Sequence, residues 1–290
     1  MNGTKRNAII MAAGTSSRFV PLSADCPKGL LEVRGEVLIE RQIRQLKEAG
    51  ISDICIVTGY KAEAFRYLKD KFDVDLVFNE DFSKYNNTSS MIRVVDRLAN
   101  TFICCSDHYF PKNPFIYEGL DSFYSALYAS GPTGEYCLET DSDDNIVSVK
   151  IGGSNSWYMV GHVFFSAGFS SHFAPLLLRE YGKEETRNGY WEDVYIKFID
   201  ELPKIKIRRY GDLEINEFDT LDELRRFDES YVCDTRSTVI KEIAKALDCR
   251  EADLSGFNKE THPGSHLQFT FMKNGRPYRY NGLDKTIENL

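Results

Sequence analysis

Over its first hundred residues the chain alternates short apolar runs with amphipathic stretches, a rhythm few folds accept. Asn7-Ala8-Ile9-Ile10-Met11 reads as a buried first strand. Leu38 to Ala49 places Leu38, Ile39, Ile43 and Leu46 on one helical face, and Gly50 ends that helix. Asp53 to Thr58 reads as a second buried strand closed by Gly59, Lys61 to Lys71 as a helix, Val74 to Phe78 as a third strand, and Thr101 to Cys105 as a fourth. Strand and helix alternating this way predict right-handed βαβ units. The expected fold is therefore α/β, a Rossmann-like, mostly parallel sheet flanked by helices. Ligands of such sheets sit outside the carboxyl ends of the strands, so the loops there carry the chemistry.

The first of these loops is Ala12-Ala13-Gly14-Thr15-Ser16-Ser17-Arg18, with Pro27-Lys28 following. Small residues leave backbone N–H groups uncovered, and such amides can close around an anion. Arg18 and Lys28 add two positive charges. The loop is neither a Walker A motif nor G-x-G-x-x-G, so a phosphate cradle and an ordinary turn at Gly14 both stand at this point. Asn79 to Met91 is polar and turn-rich and opens a helix predicted to run to about Asn100, with Thr88 or Ser89 as a natural N-cap. Asp107 follows the fourth strand, a place suited to Mg²⁺ or to a simple turn cap. His108 is assigned no role.

Further on, a helix is expected from Phe115 to Ala129, then strands Glu135–Thr140 and Ile146–Ile151 around Asp141-Ser142-Asp143-Asp144-Asn145. That acidic cluster lacks the terminal bidentate Glu of a calcium loop and reads as a hairpin turn. Each of the two tryptophans adjoins a tyrosine, Trp157-Tyr158 and Tyr190-Trp191, and Glu192-Asp193 follows the second pair. Aromatic faces beside carboxylates suit a quaternary ammonium; core packing is the competing account. Glu217 and Asp219 share a face if their segment is an extended strand, either as a solvated edge or as metal ligands beside Asp107. A helix starts at Leu221.

Past Tyr231 the character changes, so the expected division is residues 1–230 and a small α+β extension, 231–290. Val239, Ile240, Ile243, Ala244 and Leu247 mark an amphipathic helix; His266 to Phe271 and Tyr278 to Tyr280 form a hairpin about Asn274-Gly275. Pro277 predicts that the return strand is an edge. A helix plus one hairpin is marginal alone. It is expected to dock on the main domain, to pair with a second copy in a homo-oligomer, or to lead into a further domain.

Net charge is 36 − 44 = −8, which disfavours nucleic acid as a partner. No apolar run approaches the roughly 18 residues of a membrane span, and the start of the chain runs straight into a strand, so neither membrane insertion nor a signal peptide is expected. The seven cysteines form no C-x-x-C pair and no zinc spacing, as suits a reducing cytoplasm.

Ala12-Ala13-Gly14, Arg18, Pro21-Leu22 and then Pro27-Lys28-Gly29-Leu30-Leu31 resemble the N-terminal signature of nucleotidylyltransferases of the nucleotide-diphospho-sugar transferase-like fold. The resemblance implies that Ala12, Ala13, Gly14, Thr15 and Ser16 hold a nucleoside triphosphate, Arg18 its outer phosphates and Lys28 its α-phosphate. Asn87 and Ser89 match the loop that reads the base. A second glycine common in that signature is Ser16 here. Tyr85-Asn86-Asn87, Asp107, Tyr190-Trp191-Glu192-Asp193 and Glu217-Phe218-Asp219, in this order, resemble bacterial CTP:phosphocholine cytidylyltransferases of the LicC type over roughly residues 6–229. That likeness implies transfer of CMP from CTP to phosphocholine, with Lys28, Arg18 and Asp107 catalytic. It also implies Mg²⁺ on Asp107, Glu217 and Asp219, and choline held by Trp157, Tyr158, Tyr190, Trp191, Glu192 and Asp193. Some relatives carry an earlier carboxylate where Cys105 stands. Thr88-Ser89-Ser90-Met91 is shared with 2-aminoethylphosphonate cytidylyltransferases, so that acceptor, phosphoethanolamine and a sugar 1-phosphate remain alternatives.

Overall fold

The computed structural model describes residues 5–260 and 266–290. The chain forms two compact units, Met1–Gly14 with Ile39–Asn216, and Thr15–Leu38 with Glu217–Leu290. It crosses from one to the other between Gly14 and Thr15, within the small-residue loop.

Among the described residues, the first unit is built on a seven-stranded sheet. Its strands are β1 (Asn7–Ala12), β2 (Asp53–Thr58), β3 (Asp75–Phe78), β4 (Thr101–Cys105), β5 (Phe123–Thr140), β6 (Ile146–Phe165) and β7 (Lys206–Arg209). They lie in the order β3-β2-β1-β4-β6-β5-β7. β3, β2, β1 and β4 run parallel, with Ile9 opposite Cys55 on one side and Ile103 on the other. Strands buried on both faces need no alternation, which is why these read as continuous apolar runs. β6 then pairs antiparallel with both β4 and β5, while β7 runs parallel to β5. Ile9, Val57, Ile103, Val163, Phe165, Phe169 and Phe173 form part of one buried cluster. The mostly parallel α/β sheet expected from the sequence is present.

Four expectations fail in detail. The segment expected to be a helix from Phe115 to Ala129 enters the 18-residue strand β5 at Phe123. Phe123, Tyr124 and Ala126 are buried against β6 there, and tertiary pairing overrides local propensity. The helix opening at Thr88 stops at Ile92, with only a 3₁₀ turn at Val95–Arg97 before β4. Glu217 and Asp219 lie on no strand; only an isolated bridge, Tyr109 with Asn216, precedes them. Asp141 to Asn145 is the expected hairpin turn, closed by the Asp141 N–H on the Asn145 carbonyl at 3.0 Å.

The second unit holds the fourth correction. Its four-stranded antiparallel sheet runs β8 (Leu254–Lys259), β9 (Gln268–Lys273), β10 (Arg276–Asn281) and β11 (Thr286–Asn289). Asn274-Gly275 makes the expected turn, yet the Pro277 strand is interior, with β11 beyond it. Proline is accommodated near the start of β10, where its carbonyl accepts the Leu290 N–H at 3.0 Å. Phe269, Phe271 and Tyr280 turn to one buried face with Phe257. The extension docks within its own unit. Tyr231 donates to the Glu32 carbonyl at 2.9 Å, and Ser237 to Asp25 at 2.7 Å. The Arg225 guanidinium collects the carbonyls of Tyr231, Glu251 and Leu254.

Candidate active site

In the second unit, Lys28 opens a 3₁₀ turn (Lys28–Leu30) directly after Pro27. Its ammonium lies 3.3 Å from Asp219 Oδ1 and 3.5 Å from Glu217 Oε1. The Lys28 side chain is only 7% exposed, so its charge is fixed in place and weakly screened. Arg18 reaches the other oxygen of Asp219 at 2.9 Å. Asp219 is itself held by its chain. Its N–H and that of Thr220 both donate to Glu223, which with Thr220 forms the capping box of the helix Leu221–Phe227. A helix start therefore sets the position of the carboxylate. The shared strand face anticipated for Glu217 and Asp219 is absent, but both side chains still reach one ammonium.

Ser16 has φ near +50°, the left-handed region that glycine enters freely and serine enters at a cost. Ser16 thus takes a glycine-like backbone conformation at the position where the signature commonly has its second glycine. In the first unit, Ala12 and Ala13 are buried, while Gly14 is exposed with open space where a Cβ would point. Gly59 backs the loop so closely that a Cβ there would lie 2.7 Å from the Ala13 carbonyl oxygen and 2.6 Å from Phe82 Cβ.

Asp107 sits in the turn after β4, also in the first unit. Gln42 Nε2 donates to the carbonyls of Cys105 at 2.8 Å and His108 at 2.9 Å, clamping both ends of that turn. Gln42 is fully buried on the face shared with Ile39, Ile43 and Leu46. A polar residue on an otherwise apolar stripe was the visible signal, and the sequence reading passed over it. Sγ of Cys105, a carboxylate oxygen of Asp107 and a ring nitrogen of His108 all lie within 4.8 Å of one another.

The expected ammonium cage is rearranged. Trp191 is 2% exposed and packs among Tyr124, Phe165 and Phe173, so it is core, not cage. Trp157 is edge-on to Tyr128 and already carries the Arg209 guanidinium 5.6 Å from its ring. Tyr158 is half-buried. Tyr190 is exposed and edge-on to Tyr136, whose hydroxyl donates to Asp193 at 2.9 Å. Glu192 accepts from Tyr124 at 3.1 Å and from Asn87 at 3.3 Å. Burial pushes its carboxyl up to about 7, and the adjacent Asp193 charge acts the same way, against those two hydrogen bonds. Tyr124 and Tyr136, neither singled out in the sequence, complete this cluster: Tyr124 lies in the part of β5 expected to be helix, and Tyr136 in the part expected to be a strand, where no motif marks it.

Asn87 also accepts the Trp191 N–H at 2.9 Å, so its amide ties the polar loop to the start of the helix Trp191–Lys197. Ser89 is enclosed: its hydroxyl donates to the Asn86 carbonyl at 2.7 Å and accepts from Asn79 at 2.8 Å. Buried Asn79 holds Ser89 and Ser90 together.

Residues 8–151 match the MobA-like NTP transferase domain, and with this sheet and loop they define the chain as a nucleotidyltransferase. It is 33% identical over 222 residues to the choline-phosphate cytidylyltransferase of Streptococcus pneumoniae, a match covering 77% of this chain and 96% of that protein. The chain belongs to this cytidylyltransferase family. It is also 36% identical over 245 residues to the 2-aminoethylphosphonate cytidylyltransferase of Lancefieldella rimae, covering 81% and 97% of the two chains. Among solved structures, CTP:phosphocholine cytidylyltransferase from Streptococcus pneumoniae superposes with a TM-score of 0.75 at 32% identity, covering 78% of this chain and 99% of that one. Among the described residues no helix is long and apolar enough to cross a membrane.

Proposed function

We propose that this cytidylyltransferase works in the cytoplasm and moves CMP from CTP to phosphocholine, releasing CDP-choline and pyrophosphate. The observation that supports a cationic acceptor is Glu192. It is a half-buried carboxylate held by two neutral donors, Asn87 and Tyr124, beside a second carboxylate, Asp193, and the Tyr136–Tyr190 pair. Two carboxylates and two aromatic rings favour an ammonium head over a sugar hydroxyl. The match to a 2-aminoethylphosphonate cytidylyltransferase keeps that smaller ammonium as the second reading.

In the transfer, a phosphate oxygen of the acceptor attacks the α-phosphorus of CTP in line, the bond to the β-phosphate oxygen breaks, and pyrophosphate leaves. A phosphomonoester is mostly dianionic at neutral pH (second pKa about 6), so no general base is needed. Catalysis then rests on positioning and on neutralising charge. In this reading Lys28 stabilises charge on the α-phosphate, Arg18 that on the leaving pyrophosphate, and the amides from Ala12 to Ser16 hold the triphosphate. Asp107 in the first unit, and Glu217 and Asp219 in the second, each offer the hard carboxylate oxygens that suit Mg²⁺. The ion when bound supplies charge neutralisation to the phosphates.

The acceptor assignment is tested by comparing phosphocholine with 3,3-dimethylbutyl phosphate, an uncharged isostere. The expected result is a KM about tenfold lower for phosphocholine, matching a partly desolvated cation–π and charge interaction. Equal KM values would overturn the ammonium site.

A further inference from the structure

We propose that Cys105, Asp107 and His108 form a site for a borderline-soft divalent cation, Zn²⁺ or its surrogate Co²⁺. Thiolate, carboxylate and imidazole are the ligand types of zinc centres that keep one position open, whereas Mg²⁺ takes oxygen alone. The three ligand atoms lie within 4.8 Å of one another. Ligands on one tetrahedral zinc are roughly 3.5 Å apart, given bonds of about 2.0–2.3 Å, so small side-chain rotations close the set.

The surroundings support this grouping. Gln42 fixes the turn by its bonds to the carbonyls of Cys105 and His108. On the neighbouring strand β6, Gly161 makes room for the sulfur. A Cβ at that position would lie 2.4 Å from Cys105 Sγ and 3.6 Å from His108 Cε1. Cys104, next in the chain, is fully buried and takes no part. Occupancy by zinc would also engage Asp107, the carboxylate assigned above to magnesium; only this consequence rests on the proposed transfer reaction.

The test uses the intact chain and the metal alone. Co²⁺ added to chelator-treated protein should give an intense sulfur-to-cobalt charge-transfer band. Cys105→Ser should abolish that band, and His108→Ala should weaken cobalt binding about tenfold or more, at least the loss expected on removing an outer-shell partner. No band, a band that survives Cys105→Ser, or unchanged affinity in His108→Ala would overturn the site. A second measurement needs no variant: Zn²⁺ should slow alkylation of Cys105 by iodoacetamide, followed by peptide mass spectrometry, and an unchanged rate would also overturn it. Neither readout involves CTP or an acceptor, so failure of the transferase reading leaves these outcomes intact.

Discussion

Lys28 and Asp219, 191 residues apart in the chain, meet as an ion pair at 3.3 Å. One is placed by a Pro-initiated turn and the other by a capping box, so neither depends on a flexible loop. A buried ammonium beside carboxylates is a poor stabiliser on balance, because desolvation offsets the Coulomb gain. Its value lies in a fixed positive charge. Lys28→Ala is expected to lower kcat for pyrophosphate release by roughly 10²-fold or more, the size of losing one electrostatic stabiliser. A variant with near-full turnover would remove Lys28 from the chemistry.

Gln42 tests whether the Asp107 turn must be held rigid. Gln42→Leu removes the donor shared by the Cys105 and His108 carbonyls at 2.8 and 2.9 Å. Unsatisfied buried acceptors cost about 1–3 kcal/mol, so urea midpoints should fall. The Mg²⁺ concentration giving half-maximal activity should also rise, with KM for CTP at saturating Mg²⁺ little changed. A stability loss without any shift in the magnesium requirement would make Gln42 a structural residue only.

The two aromatic neighbours at the start of the helix Trp191–Lys197 should separate cleanly. Trp191 is core, so Trp191→Ala is expected to cost about 3–5 kcal/mol of stability. Tyr190 is exposed against Tyr136, and Tyr190→Ala should leave stability near wild type. It should raise KM for phosphocholine about 2- to 30-fold, the range of a cation–π contact of about 0.5–2 kcal/mol. Denaturant curves and initial rates on both variants decide the matter.

Glu192 carries a pH signature. Its folded carboxyl titrates near 7, above its ordinary 4.5. The native state thus holds more protons than the unfolded chain between those values, and Glu192 gains stability as pH falls through 7 and loses it as pH rises. His162 acts oppositely. Burial holds it well below its ordinary 6.5, so its contribution is lost as pH falls below that value. Above about pH 6.5 the opposing His162 contribution fades, and up to about pH 7 Glu192 lowers stability with a slope of at most about 1.4 kcal/mol per pH unit. Glu192→Gln should gain on wild type in unfolding free energy between pH 6 and pH 8. A constant difference would mean that Glu192 is ionised throughout.

The sheet was readable because buried parallel strands announce themselves as apolar runs such as Ile54–Val57, and Gly50 and Thr220 mark helix ends by their own chemistry. Tyr124 escaped because the start of β5 gains its stability from pairing with β6, a partner unseen in a local window, and Tyr136, on a stretch read as a strand, carries no motif that marks its role. Trp191 was misassigned for a related reason: adjacency to Tyr190 says nothing about which of two neighbours on a helix start faces the core. Charged pairs fared better. Lys28, Glu217 and Asp219 were picked by type and order, and their convergence follows from caps and turns whose residues are visible one by one. Ser16 shows the limit of motif matching, since it holds a left-handed φ at a position where the signature commonly has glycine.

The central claim is transfer of a cytidylyl group to a phosphorylated ammonium compound, and pyrophosphate release with each of the four NTPs tests it most directly. Assayed with Mg²⁺ and phosphocholine, the account predicts turnover with CTP far above ATP, GTP or UTP, and release that depends on the acceptor. Comparable release with a sugar 1-phosphate, or none with phosphocholine and 2-aminoethylphosphonate, would contradict it.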